Sequence, residues 1–390
     1  MQEGDIRNCK HSTHIQNIQT PSCYSLVFVD RDRNVVFQRT ETSDDVMPLF
    51  YQALADAKKL LLPRLQACQQ TMVWTDEDEE NYLKAKTCHV CKKPFSEKKK
   101  GLGKVRDHCH RTGEVIGAAH NKCNLLRRVK KKLLVYLHNF SGYDSHFIVK
   151  HFQQSNTQVR GLAINTEKFR TLQLGIVDFV DSYHLLSAKL SELVSDLIKE
   201  NSPFHILKNS GIYTNEEQRE LLSCGKGTYP YEYITSFETL KETSLPPKEA
   251  FYSSLSEETC SDEDYDIALK TFKAFNCKNI EDYTKLYCLL DTLLLGEVLL
   301  AFIEEAQNDF GLDVTNYISL PQLSFDAMFK TTGIELDYIP DEDMVLALEQ
   351  GIRGGVSYIS TRHVDVEKED GIIQYLDFNN LYGYPQMQKL

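Results

Sequence analysis

Apolar positions along the chain group into short runs and stripes separated by polar punctuation. Tyr24–Val29 and Asn34–Gln38 read as two strands around the turn Asp30-Arg31-Asp32-Arg33. Met47–Leu62 carries an apolar stripe at helical spacing. An acidic boundary, Asp76–Glu80, precedes a basic segment, and Leu133–His138 returns to an apolar strand. Phe169–Leu174 and Ile176–Asp181 predict a further strand pair, and Leu190–Ile198 predicts a helix. Residues 253–264 are polar and read as a loop. Asp282–Glu305 is the longest predicted helix, with shorter ones over Leu323–Thr331 and Asp343–Glu349. Gly354-Gly355 breaks the pattern before a final apolar strand that closes on Asp377. The sum is an α/β chain without internal repeats.

Its 390 residues suffice for two or three domains, and 42% hydrophobic with 10% aromatic residues indicates packed cores. We read no run as approaching the length of a membrane span and no signal peptide at the start, which predicts an intracellular protein. Eleven cysteines, scattered apart from one cluster, fit reduced thiols plus a metal site better than a disulfide framework. The net charge of −12 conceals an asymmetry. Lys84–Lys132 holds sixteen Lys/Arg against three acids, a local balance of +13 that leaves −25 on the rest. Such a segment suits contact with DNA.

Within it, Cys88-x-x-Cys91 is followed by Asp107-His108-Cys109-His110 and then His120-Asn121-Lys122-Cys123-Asn124. Two ligand pairs, each spaced by two residues, predict a closed structural zinc site of Cys88, Cys91, His120 and Cys123. The arrangement resembles the endonuclease VII branch of the His-Me (HNH) nucleases, which have a treble-clef, ββα zinc module. Carried over position by position, the resemblance implies His108 as the base that activates water. It implies Asp107 and Asn124 as magnesium ligands and His110 as a phosphate contact. That family usually has cysteine where this chain has His120. Two readings stay open: a metal-dependent endonuclease, and a zinc-stapled DNA-binding module that does not cut.

Leu137-His138-Asn139-Phe140-Ser141-Gly142-Tyr143-Asp144 ends an apolar strand on a polar cluster, and the long helix carries Tyr287-x-x-x-Asp291 on one face. Tyr375-Leu376-Asp377-Phe378-Asn379-Asn380-Leu381-Tyr382 closes the chain. These runs resemble the second and third exonuclease motifs and the first palm motif of family B DNA polymerases. The resemblance implies metal-binding carboxylates at Asp144, Asp291 and Asp377, with magnesium or manganese as the ion. It implies a water-orienting phenol at Tyr287, a DNA-strand contact at Asn139 and a nucleotide contact at Tyr382. Arg353-Gly354-Gly355 falls where the family places a template-touching linker.

The order of motifs, zinc cassette included, is similar to the protein-primed polymerases of Polinton/Maverick-type mobile elements. The resemblance implies an RNase H-like 3'–5' exonuclease core over 1–75 and 133–310, with the zinc module inserted at 76–132. A linker over 311–370 and the start of a palm over 371–390 follow. We find no Asp-x-Glu first exonuclease motif, no lysine-bearing fingers helix and no second palm aspartate. The expectation is therefore a truncated polymerase whose family acts in DNA replication with DNA, deoxynucleotides and a terminal protein primer, and which does not polymerise alone. In a eukaryotic host it would be nuclear.

Overall fold

The computed structural model describes residues 19–390 apart from 31, 68–69, 111, 127–131, 153–156, 166–167, 255–256, 338, 340, 362–363, 366–370, 379–380, 382 and 389–390. It divides into two units, residues up to Gly333 and residues from Ile334 onward.

The first unit is mixed α/β. Strands β1 (Cys23–Val29) and β2 (Val35–Thr42) form an antiparallel hairpin, followed by α1 (Met47–Ala67). After the segment 70–126 comes a four-stranded sheet of β5 (Leu133–Leu137), β6 (Val159–Ala163), β7 (Phe169–Leu174) and β8 (Val177–Asp181), in the order β5-β8-β7-β6. β5 and β8 run parallel, with Leu137 opposite Asp181, and the other two pairings are antiparallel. Parallel pairing places the chain leaving β5 beside the chain leaving β8, and such strand ends are where α/β sheets tend to hold ligands. Helix α4 (Asp144–His151) follows β5, and the Tyr51 hydroxyl of α1 donates to the Ile148 carbonyl at 2.7 Å. One core joins Tyr24, Leu26, Phe50, Leu54, Val135, Phe140 and Phe179.

Helices α5 (Leu190–Lys199), α6 (His205–Asn209), α7 (Glu216–Ser223) and α8 (Asp262–Ala274) surround α9 (Ile280–Phe310). α8 starts inside the stretch expected to be loop. The Ser261 hydroxyl accepts from the Asp264 N–H at 3.0 Å, and three acids occupy the first turn, which makes a helix start rather than a break. α9 is, among the described residues, the one helix long and apolar enough to cross a membrane, against our expectation that no run reaches that length. Here it serves as a core helix. Leu290, Leu293, Leu294 and Val298 pack on Val194, Ile206, Leu207 and Leu222, while Ala306 packs with Leu185, Val314 and Leu323. Its buried Glu297 accepts the Leu207 N–H at 2.9 Å. α9 ends at Gly311 with φ 62°, a left-handed turn that glycine takes without a Cβ clash. Residues beyond 310 still pack on this unit through α10 (Leu320–Thr332).

Segment 70–126 is built from α2 (Asp76–Lys84), β3 (Lys104–His108), β4 (Val115–His120) and α3 (Asn121–Leu126). Its entry is clamped by backbone bonds from Gln70 N–H to the His110 carbonyl and from Val73 N–H to the Gly113 carbonyl, at 2.7 and 2.8 Å. None of its described residues belongs to the hydrophobic clusters of the unit.

The second unit contains α11 (Glu342–Gly351), capped by Asp341. The strand expected to close on Asp377 is not formed. Residues 371–378 join no ladder among the described residues, and Ile372 and Tyr375 are 94% and 92% exposed. A lone strand leaves its backbone groups to water and gains no packing.

Candidate functional site

Two polar clusters stand out in the first unit. In the first, the chain makes a knuckle between Thr87 and Pro94, with Lys92 at φ 59° turning Cys91 back towards Cys88. The β3–β4 hairpin delivers His120 at the end of β4, and the first turn of α3 adds Cys123. The ligand atoms of Cys88, Cys91, His120 and Cys123 all lie within 4.8 Å of one another, so the cluster could hold a metal ion. His120 Nδ1 stands 3.2 Å from the Cys91 Sγ and 3.8 Å from the Cys123 Sγ, while Nε2–H donates to the Pro94 carbonyl at 3.0 Å. That outer bond leaves Nδ1 as the nitrogen for an ion. Burial would raise the Cys88 thiol, but backbone N–H groups of Cys91, His120 and Val90 reverse this and bring it below its ordinary range. Cys123 is pushed up, by burial and by hydrogen bonds with the other thiols. Three sulfurs and an imidazole nitrogen so close cannot all shed protons unaided, and the donor set fits a tetrahedral soft cation. A ladder of cations and aromatic rings braces the cluster: Arg106 over Trp74 at 4.3 Å, Lys104 over Tyr82 at 4.5 Å, Lys104 over Phe95 at 5.4 Å, and Phe95 against His120 at 5.1 Å.

On the same hairpin, Asp107 is buried and its Oδ2 stands 2.7 Å from His89 Nε2. The rings of His108 and His110 are 4.5 Å apart. Burial and the neighbouring His110 hold the His108 pKa below its ordinary value, partly opposed by Asp107. Asn124 follows Cys123 on α3, half-buried.

The second cluster lies where β5 and β8 end against α9. Phe140 is fully buried and stacks on Phe179 at 6.1 Å, which anchors the loop from Asn139 to Tyr143. Asn139 is exposed at φ 66°. Its Oδ1 would meet a Cβ at position 142 at 2.7 Å, so Gly142 is required there. Asp181 fixes the loop by accepting the Ser141 N–H at 2.8 Å and the Tyr183 N–H at 3.0 Å. Asp144 opens α4, and burial, together with the Asp181 charge, pushes its pKa up to about 6. Tyr287 and Asp291 lie one turn apart on α9. Asp291 meets Lys226 at 3.1 Å, and its Oδ1 is buried with no hydrogen-bond partner. Burial raises the Asp291 pKa against the opposing Lys226 charge. The Tyr287 hydroxyl meets that of Tyr231 at 2.9 Å, and its ring stacks on Tyr229 at 4.9 Å. Asp144 and Asp291 converge on Cys288. Its thiol is held well above the ordinary range, first by a hydrogen bond to Cys23, then by burial, then by the charges of Cys23, Asp291 and Asp144.

The structure thus brings together Asp144, Tyr287 and Asp291, with Asn139 at the rim. Asp377, Arg353, Gly354 and Gly355 lie exposed in the second unit, where the Phe378 N–H donates to Asp377 Oδ1 at 2.9 Å. Tyr382 lies outside the described residues. Sequence reasoning assigned no role to Lys226, Asp181, Tyr231 or His89. The Lys226-Gly227-Thr228-Tyr229-Pro230-Tyr231 run was the available signal for two of them.

Residues 125–389 match the family model described as DNA polymerase type B, organellar and viral. The chain belongs to that family. The type B match contains the carboxylate cluster whole, and it begins just after Asn124, so the thiol–imidazole cluster lies outside it. Among curated relatives, a protein of Ascobolus immersus described as "Probable DNA polymerase" is 26% identical over 262 residues, covering 66% of this chain and 20% of that protein. One of Neurospora intermedia, described in the same words, is 24% identical over 265 residues, covering 64% of this chain and 24% of its own length. The chain therefore spans about a quarter or less of the type B relatives it matches. No solved structure matches it.

Proposed function

We propose that this chain serves template-directed DNA synthesis as the exonuclease-side part of a type B polymerase of protein-primed kind. It would bind DNA and a divalent cation at the Asp144–Asp291 cluster, with deoxynucleotides and a terminal protein primer as partners of the whole machine. The observation that carries this is the convergence of Asp144 and Asp291 on Cys288 within the family-matched stretch, with Asp291 Oδ1 buried and unpartnered. An orphaned buried carboxylate oxygen costs energy until a cation meets it. Magnesium or manganese bound there would polarise a DNA phosphate. Asn139 at the rim would contact the strand, and Lys226 would balance the site's charge. The Cys88, Cys91, His120, Cys123 cluster is assigned to structural zinc, which presents the basic segment to DNA. Manganese titration of zinc-loaded protein tests the cation site. Wild type should show a manganese site that the Asp144→Asn/Asp291→Asn variant lacks, and single-strand DNA binding should strengthen with manganese only in wild type. Identical titrations for the two proteins would sink the proposal.

A second reading has its own support. The depressed pKa of His108 keeps its imidazole neutral beside the buried Asp107 carboxylate, as a general base near neutral pH requires. On this reading the module is a metal-dependent endonuclease, with Asp107 and Asn124 holding magnesium and His110 supporting the phosphate. Branched DNA with magnesium should then be cut by wild type and not by His108→Ala. Cleavage that persists in the variant removes the assignment.

A further inference from the structure

Between the two knuckle cysteines sits His89, a residue outside the thiol–imidazole cluster although both knuckle cysteines belong to it. Its backbone N–H donates to the Ala118 carbonyl at 2.9 Å, which ties the knuckle to β4. Its ring then lies over Gly117, whose own Cβ, if present, would stand 3.5 Å from the His89 Cγ. Gly117 is the cross-strand partner of Asp107, so an imidazole lying across this position reaches the Asp107 carboxylate. The contact is short, 2.7 Å from Nε2 to Oδ2, and involves a carboxylate that is only 3% exposed. A carboxylate accepts but cannot donate when ionised, so Nε2–H is the donor.

We infer that His89 is a positioning residue for Asp107: it holds one carboxylate oxygen so that the other is presented to a divalent cation. The inference rests on the endonuclease reading above, which places that cation at Asp107. The donor set fits, since a buried carboxylate oriented by an imidazole is a common way of fixing a ligand to a hard cation. Neither neighbour could do this. His108 is spoken for as the base, and His110 stacks against it. The same knuckle would then serve two ions, zinc through Cys88 and Cys91 and the hard cation through His89.

The test is manganese affinity of the zinc-loaded protein by electron paramagnetic resonance, with zinc content measured alongside. Asp107→Asn first identifies the manganese site that depends on Asp107. His89→Leu, which fills similar space without a donor, should weaken that site roughly 10-fold, and His89→Gln, which keeps an N–H donor, should restore it to within about threefold. Zinc content should stay at one per chain in both. An unchanged affinity in His89→Leu, a failure of His89→Gln to restore it, or loss of zinc from His89→Leu would each overturn the positioning role. If no manganese site depends on Asp107, the endonuclease reading itself falls and the inference with it. If the site depends on Asp107 but not on His89, only the inference falls.

Discussion

Chelating the ion from the Cys88, Cys91, His120 and Cys123 cluster should unfold residues 85–124 while leaving α9 and the four-stranded sheet intact. Hydrogen exchange read by mass spectrometry should show peptides of 85–124 losing protection and peptides of 280–310 keeping it. Cys88→Ala should reproduce the result without a chelator. The reason is the makeup of this segment's interior. Its buried side chains are Cys88, Asp107, Ala118, Ala119 and His120, so two ligands and a carboxylate stand where leucines would otherwise be. Two buried alanines contribute little, since burial is worth about 0.8 kcal/mol per methylene-sized group. Structural zinc can supply about 10–16 kcal/mol of apparent binding free energy to a folded module. The cation–aromatic ladder from Trp74 to Phe95 orients the strands but adds only about 0.5–1 kcal/mol per exposed contact. Protection of 85–124 that survives complete zinc removal would show that something other than the ion holds the segment.

Asp144→Asn should stabilise the metal-free protein near pH 7.5 and leave it unchanged near pH 4. The Asp144 pKa is raised to about 6 by burial, above the value of about 3.9 for an unfolded chain. Between those values the folded form binds more protons than the unfolded form, so stability falls as pH rises through the window. Each pH step of one across that window costs the folded form about 1.4 kcal/mol, so wild type has lost roughly 3 kcal/mol by pH 7.5. For a unit of this size that is a melting difference of roughly 5 °C. Manganese should raise the melting temperature of wild type and not of the variant. The same change at Asp291 should behave differently, because neutralising it strands the Lys226 ammonium that it pairs. Equal melting curves for wild type and Asp144→Asn at pH 7.5 would contradict the assignment of Asp144 to a cation site.

Much of the fold could be read where one local rule sufficed. The β1–β2 hairpin, α1, β5, β7, β8 and α9 each carry apolar periodicity long enough to show, and Tyr287 and Asp291 share a face by helical spacing alone. β6 and α6 were missed because short, exposed or irregular pieces carry little periodic signal. α8 was missed because an acidic first turn looks like a loop until its serine cap is noticed. The final strand failed for the opposite reason: its pattern is clear, but a strand exists only with a neighbour. The four cluster ligands were legible from spacing. The Lys226 pairing with Asp291 and the His89 contact with Asp107 were not, because each joins residues whose proximity is set by packing.

The clamped entry at Gln70 and Val73 has a consequence for how such a chain could arise. A segment closed at its neck, and absent from every hydrophobic cluster of its host, acts on the rest of the fold as a long surface excursion. Lengthening a surface excursion is cheap, about 0.6 kcal/mol for each doubling. Gaining or losing this cartridge therefore demands no redesign of the sheet or of α9. It can be inherited, exchanged or shed as one cassette, on an evolutionary schedule separate from that of the polymerase fold that carries it.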